Sequence, residues 1–445
     1  MAMFDGSVTM DQQLPDAIVE EARASEARTA GWGPAKRILF RFGFSYFGLY
    51  LLPTFLSLVA FIPRAEVVVG WYSNLWGALV PWVAKRVFHL SAPLHVTGSG
   101  DSMYSWMEAG CLLGIALIAT SVWTLLARRQ TDYTRWYEWL KVYVRFGLAT
   151  IMIEYGGLKI LPSQFPAPSV DRLLQPFGDA SPMGLLWTFM GASAAYTSFA
   201  GLTEWLGGVL LIFRRTALLG ALVCIGALTN VVMLNYCYDV PVKLFSSHLL
   251  AMAIFLVAPS LRRLADIFVL NRPVAAAPEP RLVQRRWLRI AALTFQWLFA
   301  IGFSIYMVNS AREILAQYYA GNAPLRGIWS VDQLQVDGKA GVATFPWQRV
   351  IFDYPGTLAV QLADGSRQRY ALAPDTAKKT LALTRRGDPA WKAALAYQQP
   401  TPDHLLLEGA FDGHRIRASF HLAEVPRFRL KTRGFHWVNE YPFNY

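Results

Sequence analysis

The chain has 445 residues, of which 54% are hydrophobic and 16% charged, with sixteen tryptophans and a mean hydropathy of +0.28. That balance excludes an ordinary soluble domain and reads as a polytopic membrane protein. The formal net charge of +12 is spread over Lys and Arg clusters beside apolar segments, as membrane topology requires, and not over one basic face, so nucleic-acid binding is set aside. The three cysteines, Cys111, Cys224 and Cys237, lie in or beside apolar segments without CxxC or Cys/His spacing. Neither a disulfide framework, an iron–sulfur cluster nor any other metal site is expected from them.

In chain order, residues 1–35 are polar, mixed in charge and without the apolar core of a cleavable signal; they predict a disordered cytoplasmic N-terminus. A bilayer core needs about 20 apolar residues per helix. Seven segments qualify: 39–62, 103–127, 141–162, 189–213, 216–237, 242–259 and 288–310. If each crosses once, Lys36, Arg37 and Arg41, then Arg128, Arg129 and Arg135, then Arg214 and Arg215, then Arg262, Arg263, Arg285 and Arg286 share one side. That side is cytoplasmic, and the C-terminus is outside.

The stretch WYSNLWGALVPWVAKRVFHL, residues 71–90, mixes aromatics with Pro81, Lys85 and Arg86; it predicts a helix near 68–90 lying in the outer interface, not an eighth span. TGSGDS, residues 97–102, lacks the Gly-Lys-Ser/Thr of a phosphate loop and reads as a turn with an N-cap from Ser99, Asp101 or Ser102. Pro162, Pro166 and Pro168 mark a second outer loop, and RPVAAAPEPR, residues 272–281, lies in a cytoplasmic linker over 261–287. From about Leu325 the pattern changes to period-two alternation, with Asp364-Gly365 and Asp412-Gly413 as hairpin turns. The expected organisation is a first pair of spans over 36–140, a four-helix core over 141–260, a last span with its extension over 288–322, and an extracytoplasmic antiparallel β domain, barrel or sandwich, over 323–445.

The ionisable residues of the bundle gather in its outer half. Lys159, Glu204 and His248 are the candidate catalytic residues, with Glu154, Tyr155, Asn230, Asn235, Asp239 and Lys243 as candidate ligand-binding residues and Glu108 nearby. A charge at mid-membrane costs about 2.5–3.5 kcal/mol, so such groups face a partner or a wet cavity. Five positions place Glu154 and Lys159 about 140° apart around a helix. Lys159 therefore looks to another helix, with Glu204 as its expected counter-charge, although Glu204 is drawn deeper in its span. Gly156, Gly157, Gly201, Gly207 and Gly208 permit close helix approach. The competing reading is that these charges only fix helix neighbours. His248 is the only histidine of the spans, so a bis-histidine haem has no ligands there. A quinone is compatible, since its reduction needs protons that an acid or lysine supplies.

VRFGLATIMIEYGGLKIL (144–161) and GLTEWLGGVLLIFRRTALLGALV (201–223) resemble the DoxX-like integral membrane proteins. The likeness extends over residues 142–260, and the longer layout resembles bacterial DoxX-like proteins with an appended C-terminal domain. It implies a four-helix core, with Lys159 and Glu204 at family positions. Some relatives form the membrane subunit of an oxidoreductase that passes electrons from a small periplasmic substrate to quinone. The expectation is therefore a bacterial inner-membrane protein binding a quinone- or lipid-like ligand in an envelope redox system with a periplasmic protein partner, without a covalent cofactor. The alternative is a non-enzymatic envelope scaffold acting through its β domain; a transporter is disfavoured because no inverted repeat is evident. The tail RGFHWVNEYPFNY, with Arg433, His436, Trp437 and Glu440, predicts packing of the β domain on the outer interface, in a stronger form covering the mouth of the polar site.

Overall fold

The computed structural model describes residues 31–59, 64–90, 94, 96–275, 282–319, 325–340, 344–385 and 388–444. Most of the N-terminal segment expected to be disordered, and residues 276–281 of the expected linker, lie outside the described residues. The helices are α1 (Pro34–Tyr50), α2 (Leu52–Val59), α3 (Ala65–Arg86), α4 (Met103–Leu126), α5 (Thr134–Ile160), α6 (Val170–Leu174), α7 (Pro182–Ala192), α8 (Ala194–Ile212), α9 (Ala217–Cys237), α10 (Lys243–Val257), α11 (Leu261–Phe268) and α12 (Arg286–Tyr319). Five stretches among the described residues are long and apolar enough to cross a membrane: Pro34–Val59, α4, α9, Lys243–Phe268 and α12. The third and fourth expected segments are helical too, as α5 and α8, but α5 is interrupted by Lys141, Arg145, Glu154 and Lys159, and α8 has only 19 residues.

The chain divides into two compact units, residues 1–148 with 255–291 and residues 149–254 with 292–445. In the first, Trp76 and Val80 of α3 pack on Leu112 of α4 with Tyr46 and Tyr50 of α1 beside them. Ser102 caps α4 by accepting the Ser105 N–H at 3.2 Å, as the TGSGDS stretch predicts. Arg41 is buried, and its guanidinium donates to Tyr133 Oη, Thr124 Oγ1 and the Ala127 carbonyl at 2.7–3.1 Å. Buried charge is tolerable here because its donors are occupied.

In the second unit, α5 and α8 run antiparallel and touch at glycines. A Cβ on Gly156 would lie 2.5 Å from the Trp205 nitrogen, and one on Gly201 would lie 2.6 Å from the Ile160 nitrogen. Gly208 faces the Ala149 carbonyl, Gly207 faces Cys224 of α9, and Gly157 faces Met307 of α12. Small residues thus set the helix spacing, as the glycine pattern predicts.

The C-terminal domain is a closed barrel, which resolves the barrel-or-sandwich alternative. Eight antiparallel strands, β1 (Gly327–Val336) and β3 (Trp347–Phe352) to β9 (His414–Ala423), pair in sequence order, and β1 pairs with β9 to close the ring. The intervening strands are β4 (Thr357–Leu362), β5 (Arg367–Asp375), β6 (Thr380–Arg385), β7 (Asp388–Thr401) and β8 (His404–Phe411); among the described residues β2 (Lys339–Ala340) pairs only with β1. Asp412 and Gly413 both have positive φ, +49° and +81°, the two-residue turn whose twist suits a hairpin. At the other predicted turn Gly365 has φ +84° and accepts the bulge position after Asp364. Alternate residues point inward, so Trp329, Phe352, Tyr370, Phe411 and Phe420 fill the lumen. Trp329 Nε1–H, otherwise stranded there, donates to the Leu325 carbonyl at 2.7 Å.

The loop from α5 to α7, expected to be only an outer connection, is clamped on the barrel. Val170 and Leu174 of α6 pack on Ile328, Ile351 and Ala359. Tyr354 Oη donates to the Ala167 carbonyl at 2.7 Å, and the Asp171 N–H donates to Asp353 Oδ2 at 3.0 Å. The Asp171 carboxylate accepts from Arg369 Nε at 2.7 Å.

Candidate functional site

Lys159 and Glu204 meet inside the second unit. Lys159 Nζ donates to Glu204 Oε1 at 2.8 Å and Oε2 at 2.6 Å, and both side chains are over nine-tenths buried. The difference in depth is resolved by two features. Helix α8 starts at Ala194, later than the expected 189, because Ser193 breaks the run and caps α8 by accepting the Tyr196 N–H at 3.3 Å. Side chains also tilt toward the N-terminus of their own helix. The antiparallel register sets Gly201 against Ile160 and Gly156 against Trp205, which brings Lys159 and Glu204 within a turn of each other, and their opposite leans along α5 and α8 close that gap. Ser198 Oγ, on the same side of α8, donates to the Ile160 carbonyl at 2.7 Å and ties down the end of α5.

The pair forms part of the wall of a cavity of about 130 Å³. Its lining is mainly apolar, with Met152, Phe165, Trp187 and Leu228 among the larger contributors. Of the candidate ligand-binding residues, Tyr155, Asn230 and Asn235 line it. Lys159 Nζ sits 5.7 Å from the centre of the Tyr155 ring, within cation–π range. Asn235 Nδ2 donates to Ser246 Oγ at 3.0 Å, and Ser246 Oγ donates to the Lys243 carbonyl at 3.1 Å.

Other candidates fall elsewhere. His248 does not line the cavity; its Nδ1 lies 2.7 Å from the Leu244 carbonyl one turn back, so its own helix satisfies it. Asp239 and Lys243 form an i, i+4 ion pair at 2.7 Å and do not line the cavity; Asp239, in the left-handed conformation (φ +51°), has its side chain 84% exposed. Glu154 does not line it either, as the angular separation from Lys159 requires; among the described residues it has no hydrogen-bond or ion-pair partner. Arg433, His436, Trp437 and Glu440 do not line the cavity. The tail forms a short helix, α13 (Arg429–Thr432), and then folds on itself, with Arg433 donating to Asn439 Oδ1 at 2.5 Å and stacking 4.1 Å from the Phe443 ring centre, which leaves Trp437 91% exposed. No group of three or more His, Cys, Asp or Glu suited to a metal occurs among the described residues.

No protein-family model matches the chain, and no solved structure matches it. Over 126 residues the chain is 33% identical to the uncharacterized protein YwoB of Bacillus subtilis (strain 168), a stretch that makes up 28% of this chain and 79% of that protein. The chain belongs to the YwoB family. Most of YwoB is matched, while most of this YwoB-family chain lies outside the shared stretch.

Sequence reasoning missed Gln164, Phe165 and Trp187, all on the cavity wall of this YwoB-family protein. Gln164 Oε1 is buried and has no hydrogen-bond partner among the described residues. Ser181-Pro182 ahead of the apolar run MGLLWTFMG was a legible helix start, with a capping serine and proline in the first turn. Nothing local marks Gln164, which lies in a proline-punctuated loop and faces the cavity only through the fold.

Proposed function

We propose that this chain is a DoxX-like protein of the bacterial inner membrane, crossing it seven times with a cytoplasmic N-terminus and an extracytoplasmic barrel, whose helix cavity binds a quinone- or lipid-like ligand in an envelope redox system. One observation carries the reading: a desolvated Lys159–Glu204 pair and an unpartnered Gln164 oxygen share the wall of an otherwise apolar cavity. A pair that only fixes helix neighbours needs no space beside it, whereas an apolar slot with a few convergent polar groups suits a molecule with an apolar body and a polar head. For a quinone, Lys159 and Glu204 are placed to hold and deliver protons, while the electrons come from a periplasmic protein partner. The basic residues Arg128, Arg129, Arg214, Arg215, Arg262 and Arg263 support the orientation, because they fall at helix ends that alternate along the chain.

The test is native purification followed by mass spectrometry of what the protein retains. Wild type is expected to carry one quinone or lipid class in fixed proportion, and Lys159→Ala and Glu204→Gln to lose it. If wild type retains nothing specific and both variants fully complement a deletion strain, the reading fails. The exposed aromatics Phe435, Trp437 and Tyr441 favour a second reading in that event, a membrane-anchored scaffold that works through its β domain.

A further inference from the structure

A second cavity, of about 310 Å³, lies where the clamped loop meets the barrel, and shares Trp187 with the helix cavity. That volume is at the lower end of small-molecule sites. Arg172 of α6 and Arg369 of β5 line it, with Asp171, Asp353, Tyr318 and Tyr354. Just behind stands Arg367, whose side chain is only 5% exposed.

The donors of these three guanidinium groups are largely unused. Arg369 gives Nε to Asp171 Oδ2, and Arg172 gives one Nη to Gln175 Oε1 at 2.6 Å. Arg367 Nη1 donates to the Asp171 carbonyl at 2.6 Å, but its Nε and Nη2 are buried without a partner among the described residues. The nearby acids match the guanidinium groups in number but leave their donors idle. Asp171 is shared between Arg367 and Arg369, with its Oδ1 buried and accepting no hydrogen bond among the described residues, Asp353 spends one oxygen on the Asp171 N–H, and Asp179 attracts Arg367 without lining the cavity. Burial, and then the charge of Arg369, hold the Arg172 guanidinium below its ordinary pKa; burial does the same to Arg367. Cations held close together with idle, half-desolvated donors are stabilised by an anion that brings both charge and acceptors.

We propose that this cleft is a binding site for a small oxyanion, a phosphate or carboxylate group, held by Arg172 and Arg369 with Arg367 as electrostatic support. The proposal does not depend on what occupies the helix cavity. It is tested on the full chain in detergent, by titrating sodium phosphate and sodium acetate against sodium chloride at matched ionic strength and reading the thermal midpoint. Phosphate or acetate is expected to raise the midpoint saturably. Arg172→Gln and Arg369→Gln should weaken the half-saturating concentration about tenfold or more, the scale of a lost charge-assisted hydrogen bond. Arg172→Lys and Arg369→Lys, which keep the charge but not the planar fork, should weaken it less, and they serve if the glutamine variants fail to fold. Repeating the titration in nanodiscs separates the sources. A response in zwitterionic phosphatidylcholine discs that vanishes in anionic phosphatidylglycerol discs identifies the phosphate of an anionic lipid headgroup as the occupant, and a response in both identifies a soluble oxyanion. If neither anion acts beyond chloride, or if the response survives unchanged in the Arg172→Gln/Arg369→Gln double variant, the proposal is overturned.

Discussion

Lys159 and Glu204 show how much one pair of residues can be asked to do. Each has left water for a site under one-tenth exposed, and each depends on the other for compensation. Removing one partner leaves a buried charge, which costs about 3–5 kcal/mol, whereas replacing both with apolar side chains of similar size is often nearly neutral. Lys159→Met alone and Glu204→Leu alone should therefore lower stability in detergent melts, and the double variant should recover most of it. If the pair also serves the ligand, the recovered double variant still retains none, which separates structural support from binding. This pairing was legible in the sequence, since helix geometry excluded Glu154 and glycines on the two helices pointed to contact. Gln164 was not legible, because its importance lies in having no partner, and that is a property of its surroundings.

Helices α5 and α8 are held at glycine distance, and there the packing has no slack. A Cβ at Gly201 meets the Ile160 nitrogen at 2.6 Å and the Gly156 oxygen at 2.7 Å, and backbone atoms cannot swing aside. Gly201→Leu should force the helices apart, break the Lys159–Glu204 pair and reduce folded yield, while Gly302→Leu, on a face with open space, should be tolerated. In the barrel, Gly413→Ala places a Cβ at φ +81° and should cost about 1–2 kcal/mol by thermal melt, through local strain alone. The strands and their Asp-Gly turns were legible because alternation and turn chemistry act within a few residues. The break between α7 and α8 was not. The residues around Ser193 are small and compatible with a continuous helix, and the hydroxyl decides the matter only by capping.

The arrangement across the bilayer belongs to the molecule as a whole and can be read by labelling. In a background with Cys111, Cys224 and Cys237 replaced by alanine, a membrane-impermeant maleimide should label Lys378→Cys on the exposed barrel surface of intact spheroplasts. It should label Arg272→Cys only after permeabilisation; the reverse pattern would overturn the proposed orientation. By itself the sequence determined a membrane helix bundle followed by a β domain, its hairpin turns and the match of Lys159 with Glu204. Those features rest on hydropathy, charge and helical periodicity, all of which act over short stretches or along one axis. Only the tertiary structure decided that the β domain closes as a barrel, that the loop after α5 is clamped to it by Asp171 and Tyr354, and that His248 and Asp239 do not line the cavity. Ring closure, the clamp and the cavity wall each join residues far apart in the chain, and no local pattern records which of the many possible long-range contacts bury the most surface while satisfying the most polar groups.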